Sequence, residues 1–120
     1  MNKFLYVLSK GFEKSGGATR AMQFAALTAE AGHPTEVFLI DDAIHWAQWG
    51  MAEGIRASTG EHMKELLDKL VELKAPVHVC KACADKRLVG PDDLVNGTVL
   101  SGAPVLVKMM TDPEYKVFTF

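Results

Sequence analysis

"HMKELLDKLVELKAPVHVCKACADKRL", residues 62–88, carries the pattern from which the architecture can be built. Met63, Leu66, Leu67, Leu70 and Val71 recur at helical spacing and predict an amphipathic helix. Ser58 and Glu61 ahead of it fit a capping box, and Glu65 with Lys69 fits a favourable i,i+4 pair. Pro76 then starts a short β-branched strand, "VHVC", and a short helix is expected over Cys83–Leu88. Helix, strand and helix in that order are the repeating unit of a parallel sheet covered on both faces.

The same alternation extends in both directions. "KFLYVL" (3–8) and "TEVFLI" (35–40) are apolar runs of the kind that form strands buried on both faces. Between them the chain becomes helical from Gly17, with Ala18, Ala21, Met22, Ala25 and Ala29 on one face; Gly32 ends that helix and Pro34 prevents its resumption. The segment after Ile40 is irregular, with a short helix near Ala43–Gln48. "GTVL" (97–100) is a weaker strand, "GAPVLVKMMTD" a helix with Pro104 in its first turn, and "YKVFTF" a closing strand. The expected architecture is α/β: one domain over residues 1–120, three layers, with a mainly parallel five-stranded sheet joined by right-handed crossovers. In such folds ligands gather beyond the carboxyl ends of the strands.

Composition narrows the function. The chain has 120 residues, 48% hydrophobic and 23% charged, and a net charge of −2. Nucleic-acid binding normally shows a basic surplus, so none is expected. No run of 18 apolar residues is present and no membrane span is expected. The opening residues read as a strand and not as a secretion signal, which places the protein in the cytoplasm. There a structural disulfide is disfavoured, and two close cysteines lean towards redox, metal or reactive-thiol chemistry.

Both cysteines of the chain, Cys80 and Cys83, lie in this stretch, Cys80 where the strand passes into the helix. They can be small buried hydrophobes, half of a zinc site, a dithiol redox couple, or a sulfur-carrying thiol with a helper. The position of Cys80 at a strand end argues for exposure and against the first. Zinc needs further ligands; His78 alone is near in sequence, while His33, His45 and His62 are scattered, so no bound metal or other cofactor is expected. A helix N-terminus favours a thiolate, Lys81, Lys86 and Arg87 add positive charge, and Asp85 opposes them. Cys83, one turn along, can face Cys80. These charges read equally well as the solvated face of a surface helix.

Other motifs weigh less. "GFEKSGGAT" (11–19) has Gly17 where a phosphate loop needs lysine, and no G-x-G-x-x-G is present. Asp41 and Asp42 read as a turn or cap. Trp46 and Trp49 fit a pocket lining, a subunit contact or core packing, and Met63, Met109 and Met110 fit core or interface filler.

At the level of whole segments the chain resembles the DsrE/DsrF-like proteins of sulfur metabolism. The carrying residues are the first strand and its glycine-containing loop, "AEAGHPTEVFLIDDA", the 62–88 stretch with its two cysteines and arginine, and "DDLVNGTVLSGAPVLVKMM…YKVFTF". The resemblance implies a cytoplasmic sulfur-handling protein that forms oligomers, a trimer or hexamer first and a dimer next. It implies sulfur donor and acceptor proteins as partners. Sulfur-relay members carry persulfide on a cysteine at the position of Cys80. Where those members often have alanine this chain has Cys83, and where a glycine often follows the arginine it has Leu88. The expected site is therefore Cys80 and Cys83 as reacting thiols, with His78, Lys81 and Arg87 in support. The alternatives are a small thiol-disulfide oxidoreductase and a non-catalytic assembly or regulatory subunit.

Overall fold

The computed structural model describes residues 2–120. Five strands, β1 (Lys3–Leu8), β2 (Thr35–Leu39), β3 (Val77–Cys80), β4 (Thr98–Ser101) and β5 (Tyr115–Thr119), form one sheet in the order β4-β3-β2-β1-β5. Every neighbouring pair is parallel. The helices are α1 (Ser15–Glu30), α2 (Met63–Glu72), α3 (Lys81–Lys86) and α4 (Ala103–Met110). From β1 the chain steps outward to β2, β3 and β4, then returns across the whole sheet to β5. With right-handed crossovers, that reversal sends α4 to the face opposite α1 and α2. The result is the expected three-layer α/β/α arrangement.

The layers follow from side-chain size. Ala18, Ala21, Ala25 and Ala26 are buried on α1 and let its backbone approach the sheet, while Met22 fills the space between. Tyr6 Oη meets Thr28 Oγ1 at 2.6 Å on this face, and Phe24 packs edge-on against Phe120. Met63, Leu67 and Leu70 of α2 are fully buried alongside. Gly97, at φ +96°, allows the turn into β4 to ride on α2: a Cβ there would lie 2.4 Å from Val71 Cγ1. The opposite face buries Leu5, Val7 and Phe38, yet the same face carries Glu36, His78, Ser101 and Tyr115.

Local expectations are corrected at four points. α1 starts at Ser15 and not at Gly17, following a short 3-10 turn over Phe12–Lys14. The Ser58–Glu61 capping box does not form, because Glu61 is drawn to Thr59 and to Arg20 of α1, and α2 begins only at Met63. Glu65 and Lys69 do not pair; Lys64 takes Asp68 at 2.7 Å and Lys69 takes Glu72 at 3.8 Å. α3 starts at Lys81 and not at Cys83, so Cys83 is its third residue. Among the described residues no helix is long and apolar enough to cross a membrane.

Candidate thiol site

The site lies at the carboxyl end of β2 and β3, where two connections meet. Cys80 is the last residue of β3 and the N-cap of α3. It is only 8% exposed, because the 3-10 turn over Asp41–Ala47 packs against both β3 and α3. The expectation that a strand end leaves the thiol open is therefore corrected: Cys83 is the more accessible of the two. Both cysteines are free, and the Cys80 thiol lies near enough to Cys83 to bear on its ionisation.

Cys83 is held from the other side by Asp41. The Asp41 backbone N–H donates to Cys83 Sγ at 3.2 Å. Asp41 has φ +51°, a left-handed conformation that costs a non-glycine residue about 1–2 kcal/mol. The strained peptide thus aims a donor at sulfur. Burial pushes the Cys83 thiol up, the hydrogen bond to Cys80 acts the same way, and the Asp41 N–H acts against both. The net effect on the Cys83 thiol is upward, towards its protonated form.

Arg87 ties the two connections together. Its Nη2 lies 2.9 Å from Asp42 Oδ1, and its Nη1 donates to the Cys83 carbonyl at 3.2 Å. Asp42 raises the guanidinium further above its ordinary range, so the cation is permanent. Leu88, directly after it, is 92% exposed at φ +57°. Lys81 points its amine to Asp85 at 2.9 Å, an exposed i,i+4 pair on the outer side of α3.

His78 has both ring nitrogens engaged. Nε2 lies 2.8 Å from Glu36 Oε1, Nδ1 lies 2.8 Å from Ser101 Oγ, and the ring stacks on Phe38. Tyr115 donates its hydroxyl to the other Glu36 oxygen at 2.5 Å, which with burial pushes the phenol up to about 12. The His78 hydrogen bond holds Glu36 below its ordinary 4.5, with the Tyr115 bond adding to it against partial burial. A depressed carboxylate stabilises the fold above its unfolded value and loses that contribution as pH falls through the folded value. Denaturant midpoints should therefore drop more steeply below pH 4.5 in wild type than in Glu36→Gln. Parallel curves for the two proteins would refute the coupling.

The remaining sequence candidates go elsewhere. Trp46 is fully buried, with Nε1 donating to the Lys10 carbonyl at 2.8 Å, and Phe12 packs on its edge. Trp46 therefore takes the core role, whereas Trp49 is exposed. Met63 and Met109 are buried and Met110 is exposed. His45 meets Gln48, and His62 meets the Glu53 carbonyl. Among the described residues no group of three or more His, Cys, Asp or Glu is placed to hold a metal ion.

Four contributors were missed in the sequence: Asp41 and Asp42 as partners of Cys83 and Arg87, and Glu36 and Ser101 as partners of His78. A usable signal existed for one. Glu36 is the only charged residue within "TEVFLI", and His78 is the polar residue within "VHVC". A polar residue in each of two buried strands predicts that they face one another.

A parallel α/β sheet with paired free thiols at a strand end defines a small α/β thiol protein. The family model described as the DsrE/DsrF-like family matches residues 2–120, and the chain belongs to the DsrE/DsrF-like family. It is 25% identical over 101 residues to "Uncharacterized protein MK0008" of Methanopyrus kandleri, a match covering 84% of this chain and 80% of that protein. Among solved structures it is similar to the ychN protein of E. coli, with a TM-score of 0.84 and 22% identity over 100% of both chains. It is also similar to MTH1491 of Methanobacterium thermoautotrophicum, a protein of unknown function, with a TM-score of 0.69 and 10% identity over 100% of both chains. These two likenesses concern the fold.

Proposed function

We propose that the protein is a cytoplasmic sulfur carrier in which Cys80 holds a persulfide. The observation that carries this reading is the pair of neighbouring free thiols at the end of β3, with burial and Cys80 both pushing the Cys83 thiol towards its protonated form. Cys80 as thiolate attacks the outer sulfur of a donor persulfide. The donor leaves as a thiolate and Cys80 becomes a persulfide. An acceptor thiolate then takes the outer sulfur, or Cys83 attacks the inner sulfur and expels hydrosulfide as an internal disulfide forms. Arg87, fixed by Asp42, and Lys81 supply positive charge around the exchange. His78 bonds Ser101, which stands beside Cys80 in the strand register. Sulfur donor and acceptor proteins are the partners that this reading requires.

The test follows a mass gain of one sulfur atom after incubation with a persulfide donor. Cys83→Ser should gain the sulfur and hold it longer than wild type, and Cys80→Ser should not gain it. The closeness of the two free cysteines equally favours a second reading, a dithiol oxidoreductase. If wild type takes no sulfur but reduces insulin, and both variants lose that reduction, this second reading replaces the first. If neither assay responds, a non-catalytic assembly or regulatory subunit is what is left.

Assembly into a homo-oligomer, a trimer or hexamer before a dimer, belongs to the same proposal. It is supported by apolar side chains left exposed on α4 and beside it: Val99, Val105, Val107 and Met110. Trp49 and Phe118 are also exposed and Phe120 is half-buried, whereas Trp46 is buried. Light scattering with size exclusion should report a multiple of 13.1 kDa at micromolar concentration, and a monomer would count against assembly.

A further inference from the structure

We propose that Glu36, His78 and Ser101 form an acid–base–nucleophile triad in which the Ser101 hydroxyl attacks small activated acyl esters. The proposal goes beyond the sulfur reading and needs neither cysteine.

The proton positions follow from the partners. Glu36 is ionised and accepts the Tyr115 hydroxyl on Oε2, so its Oε1 can only accept from His78 Nε2. A neutral imidazole with its proton on Nε2 has a lone pair on Nδ1. Nδ1 faces Ser101 Oγ at 2.8 Å, so the hydroxyl donates to it. Carboxylate, imidazole and hydroxyl then stand in the order that activates a serine, with each link within general-base reach. The ring nitrogens are exchanged relative to the serine-protease arrangement, in which the acid holds Nδ1; the logic of the tautomer is the same. Phe38 stacked on the imidazole fixes its plane.

The surroundings suit an acyl group. Ser101 ends β4, is half-buried, and is followed by Gly102 and the start of α4. Ala103 opens α4, and its N–H has no acceptor within the helix, so it is a donor for a developing oxyanion. Pro104 has no N–H, and Val105 N–H is taken by the Gly102 carbonyl at 3.0 Å. Val99, two residues before Ser101 on the same face of the sheet, is exposed and offers apolar contact to a short acyl chain. His78 and Glu36 side chains are 12% and 21% exposed, dry enough for the carboxylate to stabilise an imidazolium strongly.

The step balances without a redox partner. Oγ bonds to the carbonyl carbon as its proton moves to Nδ1, and negative charge builds on the carbonyl oxygen. Collapse breaks the ester C–O bond, and the departing alkoxide takes the proton from the imidazolium. Water then repeats the sequence on the acyl-serine, releasing the acid and restoring the hydroxyl.

The test uses a fluorophosphonate, which phosphonylates activated serines with loss of fluoride, on full-length protein carrying Cys80→Ala and Cys83→Ala to remove thiol reactions. One adduct per chain is expected, mapped by peptide mass to Ser101 and lost in Ser101→Ala. Its rate should fall on the order of 100-fold in His78→Gln. Glu36→Gln should also slow it, which guards against misfolding of any one variant. The initial rate of p-nitrophenyl acetate turnover should follow the same order. Absence of an adduct on Ser101 in this background, or labelling of Ser101 at an unchanged rate in both His78→Gln and Glu36→Gln, would overturn the proposal. Because this background lacks both thiols, the outcome is independent of persulfide formation on Cys80.

Discussion

With iodoacetamide near neutral pH, one thiol per chain should react well before the other, and Cys80→Ser should abolish that fast phase. The nucleophile in alkylation is the thiolate. Cys83 is disfavoured in that form by burial, by the neighbouring Cys80 thiol and by the nearby Asp41 carboxylate, with the Asp41 N–H and the Arg87 cation opposing. Cys83→Ser removes the slow thiol and should leave the fast phase in place. Accessibility runs the other way, since Cys80 is 8% exposed and Cys83 is more open. Reagent size therefore separates ionisation from access. A compact reagent should report Cys80, whereas a bulky aromatic disulfide should be diverted to Cys83. A fast iodoacetamide phase that survives in Cys80→Ser at the wild-type rate would show that the nucleophile has been misassigned. The same result would remove the ground for placing persulfide on Cys80.

Trp46→Ala should destabilise the protein by about 3–5 kcal/mol, the range for removing a fully buried large aromatic side chain. Two further losses act in the same direction. The Lys10 carbonyl loses its indole donor at 2.8 Å, and Phe12 loses its edge-to-face partner, with ring centroids 4.7 Å apart. Trp46 belongs to the turn that also carries Asp41 and Asp42, so the damage should extend to the thiol site. Trp46→Phe retains most of the volume and should cost less. Urea unfolding of the three proteins decides; a loss below about 1 kcal/mol for Trp46→Ala would mean that the cavity collapses or fills. In the alanine variant the Arg87–Asp42 tie is also expected to loosen, and Cys83 should become more accessible.

The run of strands and helices was legible in the sequence because each element carries its own period. Apolar runs bounded by Gly and Pro marked β1, β2 and β3, and the spacing of Met63, Leu67 and Leu70 marked α2. Sequence order also placed Cys80 at the end of β3, since that depends only on where one strand stops. The charged pairings were not legible. Glu61 is taken by Arg20, 41 positions away, and no local rule weighs a capping box against a partner on another helix. Local periodicity likewise cannot say which strands become neighbours, and that choice settled the site. The order β4-β3-β2-β1-β5 sets β2 beside β3, which brings Asp41 to the Cys83 sulfur and Asp42 to Arg87. It also aligns Glu36, His78 and Ser101 across three strands. The parallel α/β architecture and the place of Cys80 at a strand end could be read without the fold, because periodicity and chain order are local properties. The cover over Cys80, the upward push on the Cys83 thiol and the pairing of His78 with Ser101 came from the folded arrangement, because burial and hydrogen bonding depend on residues brought close from distant parts of the chain.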